Sequence, residues 1–195
     1  MNLVLETALA LQNFFEQRGW QFCFIGGIAV QEWSEARMTD DVDITLITGF
    51  GNEEPFIDEL LGWMKPARPD AREFAQQRRV LLLRHTNGVK VDIAMGAFPF
   101  EIGATQRAKK VELSPGYNLR LCTAEDLIVF KTFASRPLDL RDVEMTIVRQ
   151  GDGNLDWTYI HEQLLPLLEL KEAPDLINQL EALREKIRRR QKRGL

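Results

Sequence analysis

The 195-residue sequence predicts an α+β fold, with a mixed α/β region over 1–122 and a helical region over 123–195. Three observations point there. Short apolar runs of strand length recur between helical segments up to Cys122; an Asn-Gly pair sits between two such runs; and the pattern beyond Thr123 is helical to the end. Hydrophobic residues make up 45% and charged residues 28%, enough apolar side chain for a sizeable core.

In order along the chain, residues 2–18 place Leu5, Leu9 and Phe15 at helical spacing, stopped by Gly19. "WQFCFI" (20–25) reads as a short buried strand ended by Gly26-Gly27, and "IAVQEW" opens a short helix. "DVDITLI" (41–47) alternates, with Asp41, Asp43 and Thr45 on one face and Val42, Ile44 and Leu46 on the other. A turn at "TGFGNEEP" leads into an amphipathic helix over about 53–65, which "PARPD" breaks. "RVLLLRH" and "VKVDIAM" flank "TNG" (86–88), a hairpin signal because Asn-Gly suits the left-handed turn positions. A mixed segment follows, with short strands around "KVEL" and "LRLC" separated by "SPGY". Thr123 stands three residues before Asp126, a capping-box-like helix start. In the last helix Leu176, Leu180, Leu183 and Ile187 form one packing stripe.

Cys23 and Cys122 lie in separate apolar runs, with no spacing of a disulfide framework or a zinc site, so they read as core residues of a cytoplasmic protein. The start lacks a basic n-region and Glu6 interrupts its apolar stretch, which predicts no secretion signal. No run approaches the ~20 apolar residues that span a bilayer, so no membrane partner is expected. The formal net charge of −4 hides an asymmetry. "REKIRRRQKR" (184–193) carries seven Lys/Arg and one Glu, and the other residues hold 18 basic and 28 acidic side chains. A basic tail can attract nucleic acid, or simply be a solvated helix end favoured by the helix dipole.

The chemistry concentrates in "FIGGIAVQEWSEARMTDDVDITLI" (24–47). Asp41 and Asp43 point to one face of their strand. Asp92, between Val91 and Ile93 in "VKVDIAM", shares a face with Lys90 and Ala94. If those two strands pair, three carboxylates converge, an arrangement costly for unpaired ionised groups. Oxygen-only ligands of this kind suit Mg²⁺ or Mn²⁺, and two ions about 3.5–4 Å apart can activate a hydroxyl and stabilise a leaving phosphate. Gly26 and Gly27 at a strand-to-helix junction let backbone N–H groups approach phosphate oxygens. His85 and His161 have no partner at ligand spacing in the sequence and are not expected to act as ligands or bases.

These residues resemble the signature of the polymerase-β-like nucleotidyltransferase superfamily. Its pattern is Gly-Gly or Gly-Ser, a spacer, Asp-hydrophobic-Asp/Glu-hydrophobic, and a third acid on a following strand. The spacing Arg37-x-Thr39-x-Asp41-x-Asp43 is most similar to the AbiEii/AbiGii-type, toxin-like members, and also to small aminoglycoside and lincosamide nucleotidyltransferases. "EDLIVFKTFASRPLDLRDVEM" extends the likeness, which spans roughly 20–148. The resemblance implies a small mixed sheet with flanking helices, followed by a helical region packed on it. It implies Asp41, Asp43 and Asp92 as ligands of Mg²⁺ (two ions, with Mn²⁺ as a substitute), Asp92 also serving as base for the acceptor hydroxyl. Gly26 and Gly27 would hold the triphosphate of an NTP, with Arg37 and Thr39 supporting phosphate or the Asp-x-Asp loop. Lys131 would offset triphosphate charge, and Asp139 or Asp142 would anchor Lys131 or Arg136. Gly27 departs from members with Ser at that position, so phosphate contact there would be by backbone alone. The implied reaction is NMP transfer to a hydroxyl, of RNA such as a tRNA end in a toxin-like setting with an antitoxin partner. A small molecule or a protein is the alternative acceptor. A non-catalytic nucleotide-binding module is the rival reading, against which the presence of all three acids argues.

Overall fold

The computed structural model describes residues 2–192, the side chain of Lys192 excepted, so Arg193 of the basic tail lies outside the described residues. The chain divides into two compact units. The first comprises residues 1–28 and 38–122, the second residues 29–37 and 123–195.

The first unit is built on one seven-stranded mixed sheet. Its strands are β1 (Phe22–Phe24), β2 (Asp41–Ile47), β3 (Lys65–Pro66), β4 (Val80–Arg84), β5 (Lys90–Gly96), β6 (Lys109–Ser114) and β7 (Tyr117–Leu121). They lie in the order β3-β4-β5-β2-β1-β7-β6. β2 runs parallel to β5 and antiparallel to β1, β4 and β5 form the expected hairpin, and β1 is parallel to β7. Asn87 Oδ1 accepts from the Val89 N–H and Gly88 takes φ +94°, so the Asn-Gly pair closes that hairpin as its chemistry predicts.

One face of the sheet is the core. Val42, Ile44 and Leu46 of β2, Leu81 and Leu83 of β4, and Val91, Ile93 and Met95 of β5 pack with residues of three helices. α1 (Leu3–Gln17) supplies Leu5, Ala8, Leu11 and Phe15, and is capped by Asn2, whose Oδ1 accepts from the Val4 and Leu5 N–H groups at 3.1 and 3.3 Å. α3 (Glu54–Trp63) supplies Ile57 and Leu60, and α4 (Ala71–Arg78) supplies Ala71 and Ala75. Each fully buried aliphatic side chain here is worth about 1.5–3 kcal/mol. The opposite face carries Asp41, Asp43, Thr45 and Asp92.

Two helices have no counterpart in the sequence reading. α4 buries only two alanines, so "AREFAQQR" has no apolar stripe to signal it. α5 (Pro99–Arg107) interrupts the segment read as mixed; its start is fixed by Glu101, whose Oε2 accepts from the Ala97 and Phe98 N–H groups at 2.8 and 2.9 Å.

The second unit holds α6 (Ala124–Ala134), α7 (Pro137–Gln150), α8 (Trp157–Leu170) and α9 (Asp175–Lys192). Thr123 and Asp126 form the expected capping box, and Ser135 ends α6 in the left-handed conformation. Leu127, Ile147, Leu164, Leu180 and Ile187 are buried. Residues 29–37, placed with 1–122 by sequence order alone, belong to this unit. Gln150 Nε2 donates to the Trp33 carbonyl, Ser34 Oγ donates to the Asp142 carbonyl, and the Arg149 guanidinium donates to the Ser34 carbonyl. α2 (Gly26–Trp33) therefore begins in the first unit and ends in the second.

Candidate functional site

In the first unit the parallel register sets Asp43 directly opposite Asp92 and Asp41 opposite Lys90. Registered partners on adjacent strands share a sheet face, so the three carboxylates occupy one face of β2 and β5, each partly exposed. Their apolar neighbours Val42, Ile44, Val91 and Ile93 are fully buried on the other side. The strand pairing that brings Asp92 to the Asp-x-Asp pair is thus present.

The two glycines are required for different reasons. Gly26 has φ +57°, and a Cβ there would stand 1.8 Å from Asp43 Oδ2. A Cβ on Gly27 would stand 2.2 Å from Thr39 Oγ1. Only glycine lets Asp43 and Thr39 come this close to the start of α2. Gly27 N–H donates to Asp43 Oδ2 at 3.4 Å, and Thr39 Oγ1 donates to Asp41 Oδ1 at 2.7 Å. The Thr39 hydroxyl consequently fills the space that a side chain at position 27 would enter.

Asp41, Asp43 and Asp92 offer oxygen ligands of the kind a hard divalent cation takes. Among the described residues no three His, Cys, Asp or Glu side chains are grouped so as to hold a metal ion. Asp41 and Asp43 are turned instead to Thr39 and Gly27.

The remaining expected site residues form a separate buried network in the second unit. Lys131 Nζ lies 2.9 Å from Asp139 Oδ1 and 2.8 Å from Asp142 Oδ2. The Arg37 guanidinium forks onto Asp142 with two contacts of 3.0 Å, and Arg136 Nε donates to Asp139 Oδ2 at 2.6 Å. The side chains of both aspartates are under 5% exposed and that of Lys131 is 7% exposed. Burial would raise both carboxyls, but hydrogen bonds from Arg136 and Lys131 to Asp139, and from Arg37 and Lys131 to Asp142, hold them below the usual carboxylate range. Lys131, expected to meet a triphosphate, therefore has its ammonium already shared by two carboxylates. Ser34 and Arg149 adjoin this network, Ser34 Oγ donating to the Asp142 carbonyl and Arg149 to the Ser34 carbonyl. Ser34 falls in the spacer between the glycines and the aspartates and Arg149 outside any motif, and only the packing of 29–37 against α7 brings them in.

The basic tail is internally compensated over much of its length. Arg184 and Arg188 each reach Asp152 at 2.7 Å, Lys186 and Arg190 reach Glu144 at 3.3 and 3.0 Å, and Arg189 reaches Glu185 at 2.9 Å. Arg184 also lies over the Trp157 ring at 3.9 Å from its centroid. Among the described residues no helix is long and apolar enough to cross a membrane.

No protein-family model and no curated protein sequence matches the chain. Solved structures do. An antigenic nucleotidyltransferase-like protein from Paracoccidioides brasiliensis aligns with a TM-score of 0.53 at 17% identity, covering 92% of both chains. The antibiotic-resistance factor ANT(2'')-Ia, in a solution structure, aligns with a TM-score of 0.54 at 12% identity, covering 90% of this chain and 95% of its own. At such identities the likeness is one of fold, and this chain shares the mixed α+β fold of these two proteins.

Proposed function

We propose that the protein is a divalent-metal-dependent nucleotidyltransferase that moves an NMP from an NTP to an acceptor hydroxyl. The observation that carries this reading is the register of β2 on β5, which sets Asp43 beside Asp92 with Asp41 on the same face. Asp41, Asp43 and Asp92 hold Mg²⁺, or Mn²⁺ in its place, and the metal when bound supplies positive charge against the phosphates. The backbone at Gly26 and Gly27 approaches the triphosphate, and Thr39 supplies the hydroxyl that position 27 lacks. Asp92 takes the proton from the acceptor hydroxyl. The acceptor oxygen forms a bond to the α-phosphorus as the α–β phosphoanhydride bond breaks, and pyrophosphate leaves. Positioning and charge neutralisation do most of the catalysis, as in phosphoryl transfer generally. Lys131, Asp139, Asp142 and Arg37 act as supporting residues of the helical unit, a reading supported by the buried ion pairs that already engage Lys131 and Arg37.

RNA is one acceptor reading, in the toxin-like setting with an antitoxin partner that the AbiEii-type spacing implies, and in the cytoplasm that the spacing of the two cysteines suggests. A small-molecule acceptor is the second, favoured by the fold shared with an antibiotic-resistance factor. Incubation with each α-labelled NTP, Mg²⁺ and total RNA, cell protein or aminoglycosides shows where label lands. Asp43→Asn is expected to abolish label transfer and pyrophosphate release while leaving the circular dichroism spectrum unchanged. Full activity in that variant would remove the reading. Mg²⁺-dependent NTP binding without pyrophosphate release for any acceptor pool would leave a nucleotide-binding module.

A further inference from the structure

Cross-strand register places one row of side chains across the face that bears the carboxylates. Lys65 of β3 pairs with Arg84 of β4, Arg84 pairs with Lys90 of β5, and Lys90 pairs with Asp41 of β2. Registered partners share a face, so Lys65, Arg84 and Lys90 run in line towards Asp41, at about 4.8 Å per strand. The next row inward is Leu82, Asp92 and Asp43. All three cations are exposed, and among the described residues none has a carboxylate within ion-pair distance. Arg84 is steadied by a 2.9 Å hydrogen bond to the Gly88 carbonyl, which leaves its charge uncompensated. In the same unit Arg18, Arg72 and Arg79 each sit on a glutamate.

We propose that this row binds the phosphate backbone of a single-stranded nucleic-acid acceptor and leads its terminal hydroxyl to Asp92. The inference rests on the nucleotidyltransferase reading of the same face. The carboxylates lie between the glycine turn, on the β1 side of β2, and the cationic row, on the β5 side. In-line displacement keeps the entering and leaving oxygens on opposite sides of the phosphorus. With the triphosphate at Gly26 and Gly27, the acceptor enters from the side of Lys90, Arg84 and Lys65. Three uncompensated cations attract a polyanion there and repel a polycationic aminoglycoside. The basic tail, largely paired with its own carboxylates, is not this surface. A purely structural role is the competing account, in which Lys90 only offsets the charge of Asp41 across the strands.

The test compares Lys65→Gln/Arg84→Gln/Lys90→Gln with Lys186→Gln/Arg189→Gln/Arg190→Gln and the unaltered protein. Anisotropy of a short fluorescein-labelled single-stranded RNA is read over a range of salt concentrations, with the Mg²⁺–NTP thermal shift measured in parallel. Each lost phosphate contact on a single strand removes about 0.7 from the salt slope, so the row variant should bind RNA with a slope shallower by about two, whatever the sequence. Its NTP shift should be retained, its affinity for tobramycin should not fall, and the tail variant should bind RNA as the unaltered protein does. An unaltered salt slope in the row variant would overturn the proposal, as would loss of RNA binding only in the tail variant. A changed NTP shift with intact RNA binding would establish the offsetting role instead. A shallower slope without pyrophosphate release for any acceptor would keep the site and remove the transferase reading.

Discussion

At Gly27 the added Cβ would meet the Thr39 hydroxyl at 2.2 Å, so two residues twelve apart compete for one small volume. This makes their substitutions non-additive. Gly27→Ser alone should cost about 1–3 kcal/mol by overpacking. Gly27→Ser combined with Thr39→Gly should recover part of that loss, with a coupling of about 0.5–3 kcal/mol in a urea-denaturation cycle. The double variant should also retain NTP affinity better than Thr39→Gly, since the hydroxyl returns from position 27. Additive effects would show that Thr39 does not occupy the space of a residue-27 side chain. Gly26→Ala is the harsher change. An alanine at φ +57° costs about 1–2 kcal/mol, and its Cβ displaces Asp43 as well. Mg²⁺–NTP affinity in that variant should fall by more than its melting temperature suggests.

Among the elements, β2 and β5 do the organising work, because parallel pairing without a register slip sets seven residues side by side from Asp41↔Lys90 to Ile47↔Gly96. Their alternation was legible in the sequence, since a strand with one buried face must alternate. The antiparallel pairing of β4 with β5 was legible from Asn87-Gly88. α4 and α5 were not, because a helix that buries two alanines, or one that buries only Phe100, Ala104 and Thr105, gives no 3.6-residue apolar stripe. In the helical unit, Lys131 on α6 joins Asp139 and Asp142 on α7. Lys131→Met should destabilise the protein, because it leaves two buried carboxylates short of a cation. Arg136 and Arg37 remain, so the loss should lie at the low end of the ~3–5 kcal/mol typical of breaking a buried pair. Chemical denaturation checks the magnitude. An unchanged midpoint would show that the ammonium is dispensable to the network.

For the whole molecule, the buried carboxyls held below their ordinary range lie in the helical unit. Asp139, Asp142 and Asp152 are opposed by burial, but hydrogen bonds and the charge of their Lys and Arg partners hold all three below the normal carboxylate range. The unfolded chain, with ordinary carboxyls near 3.9, then binds protons before the folded one does. These groups contribute stability above about pH 4, and that contribution is lost as pH falls through their depressed folded values. Thermal melting from pH 7 to pH 3 should therefore show little change from these groups at first and a steep fall at the acid end. In Lys131→Met that fall should be shallower. By itself the sequence determined the α+β class, the hairpin, the helix cap at Thr123 and the Asp41, Asp43 and Asp92 pattern, since each depends on neighbours a few residues away or on a fixed side-chain period. Tertiary structure alone decided that Thr39 fills the space beside Gly27, that 29–37 joins the helices and that the tail's cations meet Asp152 and Glu144. It also decided that Lys65, Arg84 and Lys90 stand in one row beside the carboxylates. Those outcomes depend on strand register and helix packing between residues up to 117 positions apart, as with Trp33 and Gln150, and no local pattern encodes them.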